Sequence, residues 1–140
     1  MRLTRRNLLI SSSAGFAAVA MGSLPAFASL TDDAIGKLTG GAEIGEGMIT
    51  LDAPEIAENG NTVPIGVDAP GAVQVTLFAD GNPLPAVATI TFGPLSASRS
   101  ASTRIRLAGT QNVVAIAKME DGSFQKASAN VKVTIGGCGG

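Results

Sequence analysis

The sequence contains no histidine, no tryptophan and no tyrosine, and one cysteine in 140 residues. Without histidine there is no Ser-His-Asp or Cys-His nucleophile, no ordinary general base, and none of the commonest zinc and copper ligand. That leaves little for autonomous catalysis. Without tryptophan, tyrosine or a basic run there is neither a stacking surface nor a stripe to neutralise phosphates, so nucleic acid is excluded as a partner class. A lone cysteine cannot close an internal disulfide. Long apolar runs are missing too. Leu8 to Ile10 and Ala14 to Met21 are interrupted by Ser11, Ser12, Ser13 and Gly15. A bilayer span needs about 20 predominantly apolar residues, so stable membrane association is not expected.

What stands at the N-terminus is a targeting segment. Arg2, Arg5 and Arg6 form a positive head, and Pro25-Ala26-Phe27-Ala28 offers an A-x-A cleavage site before Ser29. The pair Arg5-Arg6, after Thr4 and before Asn7-Leu8-Leu9, reads as a twin-arginine export signal, which implies the periplasm. Cleavage after Ala28 removes three of the ten basic residues and no acidic ones. Seven against eleven remain, a formal charge of −4 where the whole chain has −1. The expected organisation is a signal peptide over 1–28, one domain over 29–135 and a terminal arm over 136–140.

In the domain, Thr31 reads as the N-cap of a short helix through Asp32, Asp33, Ala34, Ile35 and Leu38, ended by Gly40-Gly41. Strand patterns come next. They fall at Met48 to Leu51, Thr62 to Val67, Val73 to Leu77, Ala86 to Phe92, Arg104 to Leu107 and Val113 to Met119, and a last strand follows the Asp121-Gly122 turn and ends with Val131 to Ile135. Val73, Val75 and Leu77 alternate with Gln74 and Thr76, as in a half-buried strand, whereas Val113 to Met119 is almost wholly apolar and therefore central. Pro54 should end a strand, and Pro64 should lie on an edge or bulge, because proline cannot donate to a ladder. About seven short strands punctuated by turns predict an all-β, immunoglobulin-like antiparallel sandwich with one N-terminal helix.

Several residues invite a functional reading. Asp52, Glu55 and Glu58 could form an acidic site, but solvated loop carboxylates are the simpler account, since hard-cation loops carry denser oxygen ligands. Asp80-Gly81-Asn82 opens like a calcium loop and lacks the later acidic ligands, so it reads as a turn. Ser96, Ser98, Ser100, Ser102 and Thr103 read as a solvated loop and strand face.

The remaining candidate is Cys138, in Gly136-Gly137-Cys138-Gly139-Gly140. Glycine reaches both halves of φ/ψ space, so four glycines around one thiol predict a flexible arm. Three residues past Ile135 can carry the sulfur about 10 Å. An ordinary cysteine has a pKa of about 8.5, and the chain's own carboxylate lies two residues on, so this thiol is poorly equipped to act alone. It reads as a covalent handle that other enzymes act on. An exported sandwich module with an incidental terminal cysteine is the alternative. A thiol oxidoreductase is disfavoured by the missing C-x-x-C.

The terminal Gly-Gly-Cys-Gly-Gly, together with the stretch Ala53 to Ile65 (APEIAENGNTVPI), resembles the SoxY family, the sulfur-carrying subunits of the thiosulfate-oxidising Sox system. The resemblance implies a heterodimer with a SoxZ-like subunit. It implies a heme c-type enzyme that couples thiosulfate to Cys138 and a dimanganese hydrolase that releases sulfate. In some systems a sulfane dehydrogenase also takes part. No cofactor would belong to this chain itself. Its cargo would be covalently bound sulfur intermediates on Cys138, with Gly136, Gly137, Gly139 and Gly140 letting the arm visit each active site.

Overall fold

A computed structural model describes residues 27–136. They fold as helix α1 (Phe27–Thr39) followed by strands β1 (Ile44–Glu46), β2 (Thr50–Asp52), β3 (Ile56–Ala57), β4 (Val63–Asp68), β5 (Ala72–Ala79), β6 (Ala86–Thr91), β7 (Ser100–Ile105), β8 (Gln111–Met119) and β9 (Phe124–Val133). The larger sheet runs β1-β9-β8-β5-β6, with β3 on the far end of β9, and the smaller runs β2-β4-β7. Face to face they make an immunoglobulin-like sandwich.

Period-2 alternation decides which side chains fill the space between the sheets. Val63, Ile65 and Val67 of β4 meet Val75 and Leu77 of β5 and Val113, Ala115 and Ala117 of β8 in one buried cluster. Leu107 and Val131 close it, both fully buried. A second cluster lies on the other face of the larger sheet, where Phe78, Val114, Ile116 and Phe124 pack under Ile35 of α1. Strand β8 is therefore buried on both faces, as its apolar run predicts. Strand β5 was expected to be half-buried and is not: Thr76 and Phe78 are 6% and 2% exposed. Its alternation marks two different buried layers, with Thr76 and Phe78 on the helix side. Val73, counted in that alternation, sits at a register shift between Ala72 and Gln74 and is only partly covered.

The helix begins earlier than expected. Thr31 is not its N-cap but lies in its second turn, 3% exposed, in line with Ile35 and Thr39 at i+4 spacing. Asp32 and Asp33 are accordingly outside the first turn, where the dipole would favour them most. The C-terminal end is as read: Gly40 and Gly41 have φ of 65° and 81°, and Gly41 N–H donates to the Gly36 carbonyl at 3.2 Å. That is a Schellman closure, and side chains other than glycine strain at such φ. The helix runs through the Ala28–Ser29 bond, so cleavage there would shorten it by two residues. Among the described residues no helix is long and apolar enough to cross a membrane.

All seven expected strands are present, with ends shifted by a few residues, and their mutual pairings are antiparallel. β1 and β3 are additional, and both pair with β9 in parallel. Pro64 lies in the middle strand of the smaller sheet, yet β2 reaches only Gly66 of β4 and stops at Asp52. Locally Pro64 is on an edge, so no ladder donor is lost.

Packing of this kind is tested by contrasting a filled and an empty position. Leu77→Ala should lower unfolding free energy in denaturant titration by about 2–5 kcal/mol. Leu84→Ala, at a side chain 74% exposed, should stay within about 0.5 kcal/mol.

Candidate functional site at the base of the C-terminal arm

Strand β9 leads directly toward Cys138. Cys138 itself lies outside the described residues, with Gly137, Gly139, Gly140 and the leader arginines Arg5 and Arg6. What the structure does place is the platform from which the arm departs. On one side runs the segment from Glu55 to Gly60. Lys132 N–H donates to the Glu55 carbonyl (2.9 Å), Thr134 N–H to the Ala57 carbonyl (3.0 Å), and Gly60 N–H to the Ile135 carbonyl (2.7 Å). The Thr134 hydroxyl adds a bond to the Glu58 carbonyl at 3.0 Å. On the other side, Val133 N–H donates to the Thr110 hydroxyl at 3.0 Å. The last residues of β9 are thus bonded on both flanks, and each bond contributes about 0.5–1.5 kcal/mol net.

Gly136 ends this platform. A Cβ placed there would run into the carbonyl oxygen of Ala108. The first glycine of the expected arm therefore serves a close backbone approach, and the other three lie outside the described residues.

Ala108 is held by a buried side-chain pair. Asn82 has no exposed surface and Gln111 is 5% exposed. Asn82 Oδ1 accepts from Ala108 N–H (2.9 Å) and from Gln111 Nε2 (3.0 Å), while Asn82 Nδ2 donates to the Arg106 carbonyl at 2.8 Å. Gln111 Nε2 also donates to the Gly109 carbonyl (2.9 Å), and its Oε1 accepts from Gly81 N–H (2.8 Å). The pair thereby fixes residues 106–109. Leu107 N–H in turn donates to the Gly60 carbonyl at 2.8 Å, joining the two flanks.

The same geometry decides the calcium-loop question. Both oxygens of Asp80 accept from Asn112, from its N–H (2.8 Å) and its side-chain amide (3.0 Å). With Asn82 Oδ1 facing two donors, all three side-chain oxygens of this segment are engaged within the protein. It is a turn. Among the described residues no group of three or more Asp, Glu, His or Cys could hold a metal. Glu55 and Glu58 act through their backbone carbonyls, and their carboxylates form no joint site with Asp52. Asp52 instead lines an open cleft with Pro54, Pro64 and Arg104, where β2 leaves β4. Ser98 and Ser100 bond each other at 3.1 Å on the exposed strand side, as a solvated face should.

Sequence reasoning missed Asn82 and Gln111 as the pair behind the arm. The Asn-Pro dipeptide signals a turn, but nothing local shows that its amide turns inward to meet a glutamine 29 positions away.

Comparison with known proteins adds the family. The model for "Sulfur oxidation protein SoxY" matches residues 35–138, a span that includes Cys138. The chain belongs to the SoxY family. The solved sulfur carrier protein SoxY from Chlorobium limicola f. thiosulfatophilum is 40% identical, with 77% of this chain and 99% of that one covered and a TM-score of 0.66. The superoxide reductase (neelaredoxin) from Ignicoccus hospitalis is 16% identical over 62% of this chain and 80% of its own, with a TM-score of 0.54. A hypothetical protein from Pyrococcus horikoshii OT3 is 13% identical over 67% and 96%, at 0.50. At those identities the last two share the fold alone. No curated protein matches.

The platform makes two substitutions informative. Asn82→Ala strands two donors and an acceptor and should cost about 2–4 kcal/mol in thermal or chemical unfolding. Gly136→Ala should raise amide exchange at Gly60 and Val133 at least tenfold. Gly109→Ala, in the same loop with open space around its Cβ, should not.

Proposed function

We propose that this SoxY-family chain is the covalent sulfur carrier of a periplasmic thiosulfate-oxidising system, with Cys138 as attachment point. The observation that carries the reading is the conjunction of the chain's one cysteine, inside the family-matched span, with a strand bonded on both flanks up to Gly136. A thiol displayed from a fixed platform on a few glycines suits delivery into the active sites of other proteins. The protein is a carrier subunit and not an enzyme. It has no histidine to serve as base, and its thiol has no activating group in the sequence around it.

Loading forms a sulfur–sulfur bond. The thiol of Cys138 and thiosulfate give cysteine S-thiosulfonate, one proton and two electrons, and the electrons pass to a heme c-type partner. Hydrolysis of the terminal sulfur–sulfonate bond by a dimanganese partner then consumes one water. It releases sulfate and a proton and leaves a persulfide on Cys138. Where a sulfane dehydrogenase is present, that remaining sulfur is oxidised in turn. The chain's own part is to hold the cargo by a covalent bond, since an acidic protein binds a free dianion poorly. Ordering the arm on entry costs about 1–2 kcal/mol per residue, which favours release after each visit. A SoxZ-like sandwich subunit is the standing partner, and twin-arginine export through Arg5-Arg6 takes the protein to the periplasm.

Cys138→Ser should melt at the wild-type temperature and fail to support thiosulfate-dependent turnover with the partner enzymes. Turnover at the wild-type rate by that variant would leave the protein an exported binding module with an incidental thiol.

A further inference from the structure

Between Asp80 and Arg99 lie 18 residues without a single charge, the longest such stretch among the described residues. Strand β6 is its centre and stands at the end of the larger sheet, paired only with β5. Phe92 N–H donates to the Val73 carbonyl at 2.9 Å. By antiparallel alternation Ile90 and Ala88 also face β5, so Thr89 and Thr91 turn their backbone groups outward, and the regular register ends at the shift between Leu77 and Phe78 of β5. No bond to those outward groups is found among the described residues. Natural sheets blunt such edges with charge, proline within the strand, or a covering segment. β6 carries neither charge nor proline, no described segment pairs with its outer side, and its one irregularity, opposite Leu77 and Phe78, leaves Ala88 to Thr91 in regular register.

The loops at its two ends each present an exposed apolar side chain. Leu84 is 74% exposed and Leu95 is 96% exposed. Leu84 stands between Pro83 and Pro85, and Leu95 follows Pro94, so proline restrains both loops and lowers the entropy lost on docking. Val87, Ala88 and Ile90 touch the core and are only half covered, so an added strand would complete their burial.

We propose that β6 is the edge on which the companion subunit seats, adding one of its own uncharged strands to the larger sheet and capping Leu84 and Leu95. The inference rests on the carrier reading above, which supplies a second sandwich subunit. Position argues for that subunit as occupant. Leu84 shares its loop with Asn82, whose side chain holds Ala108 against Gly136, so the seat adjoins the platform of the arm. A subunit bound there stiffens the loop whose Asn82 holds Ala108 against Gly136.

The test is amide hydrogen exchange on the full chain, alone and with the SoxZ subunit of the same organism. Thr89 and Thr91 should gain at least tenfold protection in the complex. Thr89→Pro removes an outward N–H and spares the β5 ladder. Combined with Leu84→Asp it should weaken the complex at least tenfold, with the melting temperature of the free chain unchanged. A complex that forms with protection elsewhere, and is indifferent to both substitutions, overturns the edge and leaves the carrier reading standing. Protection of the same amides by a second copy of this chain, without the SoxZ subunit, also overturns it. If wild-type chains form no complex at all, the two-subunit reading fails and the edge proposal falls with it.

Discussion

One buried amide ties the platform together. Asn82 has no contact with solvent, and its two side-chain atoms satisfy the Arg106 carbonyl, the Ala108 N–H and Gln111 Nε2. A buried polar group is expensive unless it is bonded, and here both side-chain atoms are bonded, to the loop at Arg106 and Ala108 and to Gln111 beside it. That loop meets Gly60 through Leu107 and crowds Gly136 through Ala108. If the amide were lost, the Arg106 carbonyl, the Ala108 N–H and Gln111 would each lose a partner beside the end of β9.

The structure divides its tasks accordingly. The double-sided burial of β5 and β8 supplies stability, and the short parallel pairings of β1 and β3 hold β9 near its two ends. Polar bonding is concentrated at one end, where the chain leaves the body. Precision up to Gly136, with the expected freedom in the glycines beyond it, suits a carrier of this family, because a partner's active site can then be reached from a known origin.

Much of this was legible in the residues. The strands with four or more alternating or continuously apolar residues, such as Val113 to Met119, are where they were expected, and Gly40-Gly41 ends the helix. What escaped was non-local or too short to carry a period. β1 and β3 have three and two residues, and their partner strand lies some 75–80 positions away. Thr31 was misplaced because a threonine before two aspartates is a good capping signal. The helix overrides it by burying Thr31 in line with Ile35. The burial of Thr76 could not be read from β5 alone, since it depends on the other face of the sheet being covered. For the candidate site, Cys138 stood out by its solitude, whereas Asn82 looked like any turn residue.

The central claim is that sulfur passes through Cys138 during turnover. Isotopically labelled thiosulfate, rapid quenching and tryptic release of the peptide from Val133 to Gly140 test it most directly. Label should appear on that peptide before sulfate, as thiosulfonate, which should decay to persulfide at the rate of sulfate formation. Sulfate that forms while the peptide stays unlabelled, or thiosulfonate that decays more slowly than turnover, would contradict the account.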